Sequence, residues 1–89
     1  MTITVEPVSE ELWLVTIDAQ TKTEHRVRVT AADLERFTRG KGDARELLQA
    51  SFRFLLDREP NTSILRDFDL AVISRYFPEY ERAITRALS

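Results

Sequence analysis

The chain has 89 residues, of which 43% are hydrophobic and 31% are charged, and its formal net charge is −2. This length corresponds to one small domain over residues 1–89, the hydrophobic content excludes a disordered chain, and the charge balance argues against a basic nucleic-acid-binding face. The sequence contains no cysteine, which excludes disulfides and thiolate metal sites.

The first thirty residues predict β-strands. Short runs of alternating apolar and polar residues, ITV, LWLVTI and HRVRVT, are separated by the turn-forming stretches from Pro7 to Glu11 and DAQTKTE. Alternation of this kind, bounded by turn residues and rich in Val, Ile, Thr and Trp, is typical of strands. Because the connections are short, we expect neighbouring strands to be antiparallel, which gives a three-stranded antiparallel sheet over about residues 2–30.

From Thr30 onward the apolar residues follow a helical period. Thr30 with Asp33, and Asp43 with Glu46, each match a capping box at the start of a helix. The first helix is short and ends at the glycines that follow it. The second, ARELLQASFRFLLDRE, carries a wide apolar stripe and stops before Pro60, because the residue preceding proline is driven out of helical geometry.

The stretch REPNTSILRDFDLAVISRYFPEY is interpreted mainly as the second half of the core. Asn61 to Ser63 forms a turn or cap, SILRDF forms one or two helical turns, and Asp69 caps the helix LAVISRYF. Pro78 either kinks one long helix or separates two helices. The pattern favours a break at Phe77, with Pro78 starting a last helix. The predicted fold class is α+β, with three to four helices packed on one face of the sheet.

The second strand carries apolar residues on both of its faces. Trp13, Val15 and Ile17 point one way and match the core, which leaves Leu12 and Leu14 on the other face. The candidate interface residues are Leu12, Leu14, Arg26 and Arg28. The sequence thus favours a non-catalytic interaction or regulatory module that self-associates through its sheet as a homodimer or binds an unidentified protein partner. Strand addition at an open sheet edge is a second route to the same association.

A nucleic-acid-binding regulator is the alternative interpretation. Two short helical segments that meet near Phe68 could form a helix-turn-helix, with the residues from Leu70 to Phe77 as the recognition helix. The residues available for phosphates are Arg66, Arg75, Arg82 and Arg86. Against this interpretation, the turn lacks a glycine and acidic residues are interspersed among the arginines, a pattern typical of a solvated, ion-paired surface.

No arrangement of residues in the sequence predicts catalysis. His25 is the only histidine, and we expect it on a strand near a sheet edge. The glycines of the segment RGKGD lack the spacing of a phosphate-binding loop, so a connection between helices is favoured. We expect the aromatic residues of the C-terminal half to fill the core rather than to line a ligand pocket. The chain is therefore predicted to be no enzyme and to bind no metal and no cofactor.

The N-terminal residues MTITVEPVSEE lack the basic start and apolar run of a signal peptide, and no window reaches the length of a membrane span. We expect a cytoplasmic protein that does not contact a membrane.

The segments SFRFLLDREPNTSIL and FDLAVISRYFPEYE, together with a looser match over VTAADLERFTRGK, resemble a group of small bacterial proteins of uncharacterised function. The resemblance implies a bacterial, cytoplasmic setting. It implies no activity, no cofactor and no site residue.

Overall fold

The computed structural model describes residues 1–89, and it contains a four-stranded sheet and four α-helices. The strands are Thr2–Pro7 (β1), Leu12–Asp18 (β2), Thr23–Arg28 (β3) and Asp67–Asp69 (β4). The helices are Ala31–Thr38 (α1), Ala44–Leu56 (α2), Val72–Tyr76 (α3) and Tyr80–Leu88 (α4), with a 3₁₀ turn at Asn61–Ser63. The α+β class predicted from the sequence is therefore confirmed.

The sheet differs from the prediction by one strand. The order is β1-β2-β3-β4; the first three strands are antiparallel as expected, but β4 runs parallel to β3, so the sheet is mixed. The main-chain N–H of Arg26 donates to the Arg66 carbonyl at 2.8 Å, and the N–H of Leu70 donates to the Arg28 carbonyl at 3.0 Å. The sequence did not predict the fourth strand, because β4 has only three residues, too few to establish a period of two.

Local hydrogen bonds begin the first two helices where the sequence predicts them. The Thr30 hydroxyl accepts from the N–H of Asp33 at 3.0 Å, and the Asp43 carboxylate accepts from the N–H of Glu46 at 2.8 Å. In both cases the acidic side chain accepts in return from the main chain of the capping residue, so both capping boxes are complete. After α1 the chain reverses through Arg39 and Gly40, which both have positive φ.

The hydrophobic core lies between one face of the sheet and the helices. Val15, Ile17 and Val27 are fully buried, and side chains of α2 such as Leu48 and Phe52 belong to the same buried cluster. As the pattern of β2 predicts, Leu12 and Leu14 point away from this core. The fold thus buries one face of the sheet and leaves the other face without a helix.

The segment after Pro60 is less helical than the sequence suggests. Of the residues from Ser63 to Phe68, which were expected to form one or two helical turns, Ser63 ends the 3₁₀ turn and Asp67 and Phe68 lie in the extended strand β4. Asp69 does not cap a helix, because α3 begins at Val72 after Ala71 and without a side-chain cap. Phe77 is extended, with φ −130 and ψ 92, and it separates α3 from α4. The predicted break at Phe77 is confirmed, although α4 begins at Tyr80 rather than at Pro78.

Candidate functional site

The helix-free side of the sheet, which we call the outer face, brings the four predicted interface residues together. Leu14 is the direct cross-strand neighbour of Arg26, and Leu12 is the neighbour of Arg28. On its other side Leu14 pairs with Glu6 of β1, and Arg26 pairs with Asp67 of β4. Side chains of directly opposed residues lie about 5 Å apart. The outer face therefore carries a continuous row in which Leu14 lies between an acidic and a basic side chain.

Three apolar residues form the centre of this surface, and we call Val8, Leu12 and Leu14 the apolar patch. Leu12 and Leu14 are half-buried, whereas Val8 is 56% exposed. Val8 follows β1 directly, and its N–H donates to the Leu12 carbonyl at 2.8 Å. Val8 was not among the residues predicted from the sequence. The alternation of side chains along β1 could have indicated Val8, because it lies two positions after Glu6 and so continues the same face.

The charged residues beside the patch differ in their partners. Arg28 donates to the carboxylate of Asp69 in the same molecule at 3.1 Å, and both residues lie on the outer face. Arg26 forms no ion pair, although it is exposed and lines a shallow depression together with Leu14 and Asp67. Arg26 is therefore a cation that is free to bind a carboxylate from outside the molecule.

Both edges of the sheet are protected against strand addition. On β1 the outward carbonyl groups of Ile3 and Val5 accept hydrogen bonds from the Gln49 amide, at 2.9 Å, and from the Arg45 guanidinium. Pro7, in the same strand, has no N–H to offer. At the opposite edge β4 has only three residues, two of which are aspartates. Short, charged or capped edges disfavour pairing with another strand, so the outer face is the more accessible surface of the sheet.

The structure separates the four arginines of the nucleic-acid alternative. Arg66 precedes β4 and lines the outer-face depression with Arg26, whereas Arg75 lies on α3. Arg82 and Arg86 lie on α4 and line a different depression together with Arg39. The segment expected to provide a helix-turn-helix consists of a strand followed by a helix of five residues, α3.

The acidic residues of α4 and of the turn before it are engaged by other arginines. The Glu81 carboxylate accepts from Arg36 at 2.9 Å, and the Glu79 carboxylate accepts from the Arg58 Nε at 3.1 Å. Arg82 and Arg86 form no ion pair of their own. Glu81 also lines the depression and lies 3.9 Å from Arg39, so Arg82 and Arg86 are the two arginines of the depression without an ion pair.

His25 lies in the core, at the centre of a buried hydrogen-bond network. Its Nδ1–H donates to the Leu65 carbonyl at 2.7 Å, and its Nε2 accepts from the Thr23 hydroxyl at 2.8 Å. The Asn61 amide donates to the Thr23 hydroxyl at 2.9 Å and to the Thr21 carbonyl at 2.8 Å. Burial lowers the pKa of His25, and the nearby charge of Arg66 lowers it further, against the opposing effect of the Leu65 carbonyl. The expected position of His25 near a sheet edge is wrong, because β4 pairs with the side of β3 that would otherwise be an edge. The neutral imidazole connects the sheet to the segment that enters β4.

An apolar groove of about 450 Å³ lies between the end of α2, the segment after the 3₁₀ turn and α3. Its most exposed apolar side chains are Leu65, at 49%, and Tyr76, at 69%. Phe68 and Phe77 also line it, whereas Phe52 and Tyr80 are fully buried, as a core role predicts. The groove lies apart from the apolar patch and shares no residue with it.

Comparison of the chain with protein-family models, with curated proteins and with solved structures finds no match in any of the three. No group of three or more His, Asp or Glu side chains is placed to hold a metal ion. None of the helices has both the length and the apolar character needed to cross a bilayer. The geometry of the chain itself is therefore the basis for any functional conclusion.

Proposed function

We propose that this protein is a non-catalytic interaction module that forms a homodimer through the outer face of its sheet. The observation that carries the proposal is the apolar patch of Val8, Leu12 and Leu14 on a sheet face without a covering helix. Contiguous apolar surface in a small domain is costly to leave in water and is typical of interaction sites.

The charges around the patch favour a second copy of the same chain as the partner. Glu6 on β1 and Arg26 on β3 flank Leu14 on opposite sides. A surface that carries both signs beside an apolar centre is complementary to itself, as an interface between identical subunits requires. Since the sheet edges are capped or short, packing face to face is favoured over pairing edge to edge.

The interface would be modest in size. The whole molecule has an accessible surface of 5462 Å², and a standard interface removes roughly 800 Å² from each partner. Of the three residues of the apolar patch, only Val8 is more than half exposed, so the apolar area that the patch can contribute is small. We therefore expect a dissociation constant in the micromolar range, on the order of 1–100 μM.

The test is the mass in solution by light scattering or sedimentation, measured between about 1 and 200 μM so that the expected midpoint is spanned. We expect wild type to convert from monomer to dimer and Leu14→Glu to stay monomeric with an unchanged circular dichroism spectrum, because a buried, unpaired carboxylate disfavours association. Leu65→Glu is the matched control, since it adds the same charge at an exposed leucine in the apolar groove. A wild type that stays monomeric, or dissociation caused by Leu65→Glu and not by Leu14→Glu, would reject the proposal.

Binding of nucleic acid is the second candidate function. The observation in its favour is the depression lined by Arg39, Arg82 and Arg86, in which Arg82 and Arg86 form no ion pair. Such binding would weaken steeply with added salt, because displaced counterions drive it. The test is the retardation of duplex DNA at low salt by wild type and by Arg82→Ala/Arg86→Ala. Equal or absent retardation by the two proteins would remove this candidate.

A further inference from the structure

The row of the outer face that contains Leu14 carries a charge on each side of the leucine. Glu6 of β1 lies on one side of Leu14, Arg26 of β3 lies on the other, and Asp67 of β4 lies beyond Arg26. Neighbouring strands lie about 4.8 Å apart. From β1 to β3 the row is therefore negative, apolar and positive, and it becomes negative again at β4.

Two orientations of a two-fold axis through Leu14 bring two such faces together with their strands aligned. If the axis runs across the strands, each strand lies over its own copy, and Glu6, Arg26 and Asp67 each face the same residue of the partner. If the axis runs parallel to β2, the order of the strands is reversed, and β1 of one copy lies over β3 of the other. Like charges that face each other across an interface are strongly disfavoured, so the second orientation is favoured.

Resting on the proposed homodimer, we infer that the two copies pack about a two-fold axis parallel to β2, with Glu6 of each copy paired to Arg26 of the other. Leu14 then lies opposite its own symmetry copy, at the centre of two sheets about 10 Å apart. The ion pair occurs twice because the interface is isologous.

Arg26 is the cation that this arrangement requires. Arg28 already binds Asp69 within its own chain at 3.1 Å, whereas Arg26 has no intramolecular ion pair. Glu6, too, is exposed and forms no ion pair. Charge pairs of this kind contribute mainly to the specificity and orientation of a complex, while the apolar patch contributes most of its affinity.

The experiment is a charge exchange followed by sedimentation equilibrium. Glu6→Arg alone places arginine over arginine, and Arg26→Glu alone places glutamate over glutamate. We expect each to weaken the homodimer by about tenfold or more. The double variant Glu6→Arg/Arg26→Glu restores opposite charges and is expected to dimerise within about threefold of wild type. An equimolar mixture of the two single variants is expected to form a mixed dimer that is tighter than either homodimer, because both pairs then have opposite signs.

Glu35→Arg is the control for net charge, since Glu35 is exposed on α1, away from the outer face, and forms no ion pair. It changes the charge as Glu6→Arg does, and we expect an effect below about twofold. Failure of this inference is distinguishable from failure of the proposed function. If Leu14→Glu abolishes the dimer but the double variant does not recover or the mixed dimer does not form, the interface stands and the axis is wrong. If wild type is monomeric, both are wrong.

Discussion

His25 and Leu65 lie 40 residues apart in the chain, and a 2.7 Å hydrogen bond joins the imidazole Nδ1–H to the Leu65 carbonyl. The bond fixes the tautomer, because a carbonyl only accepts, and Nε2 is then left to accept from Thr23. It also connects β3 to the segment that leads into β4. A neutral, buried histidine thus helps to hold the parallel strand in place.

The stability of the protein should depend on the protonation of His25. Burial lowers the pKa of His25 in the folded state, while in the unfolded chain it is about 6.5. The unfolded state therefore binds the proton first, so this contribution to stability is complete above about pH 6.5 and is lost as the pH falls below that value. We expect a lower free energy of unfolding in urea at about pH 5 than at about pH 7.5.

Proton NMR gives a direct check, since His25 is the only histidine. Its imidazole resonances should show no midpoint at about pH 6.5 in the folded protein and should show one in the urea-unfolded chain. A normal midpoint in the folded state would contradict both the burial and the hydrogen-bond assignment.

Removal of Asn61 should destabilise the protein without affecting its association. Its amide donates to both the Thr21 carbonyl and the Thr23 hydroxyl, and the residue is buried. Asn61→Ala leaves these acceptors without a donor, and we expect a loss of about 1–3 kcal/mol in the free energy of unfolding. The neighbouring Thr62→Ala is the control, since Thr62 is exposed and should change stability by less than about 0.5 kcal/mol. Equal losses in the two variants would show that the network is not stabilising.

The ring of Tyr80 should matter far more than its hydroxyl. The hydroxyl lies 2.6 Å from Ser51 Oγ, but Ser51 also donates to the Leu47 carbonyl at 2.7 Å and keeps that bond in Tyr80→Phe. We expect Tyr80→Phe to cost about 1 kcal/mol, and Tyr80→Ala about 3–5 kcal/mol, because the ring is fully buried and packs against Phe37 and Phe54. Urea unfolding of both variants measures the difference. Similar losses would show that the hydroxyl dominates.

What could be predicted from the sequence was local. The capping boxes at Thr30 and Asp43 could be predicted, because a capping box depends only on residues three positions apart in the sequence. The two faces of β2 could likewise be predicted, since alternation alone places Leu14 and Val15 on opposite faces of the sheet. The strand β4 could not be predicted from the sequence, because its three residues become a strand only through pairing with β3, about 40 residues earlier. The burial of His25 follows from that same distant pairing.

The capped edge of β1 provides the last prediction. Gln49 and Arg45 donate to the Ile3 and Val5 carbonyls, and the Arg45 guanidinium also lies 5.6 Å from the Trp13 ring centroid. The double variant Arg45→Ala/Gln49→Ala frees both carbonyls, and an open edge pairs readily with other strands. We expect this variant to form species larger than a dimer, and we expect Leu14→Glu, added to it, not to prevent them, because edges and not faces are then in contact. Sedimentation velocity over a concentration series measures the sizes. An assembly no larger than that of wild type would show that the two side chains do not protect the edge.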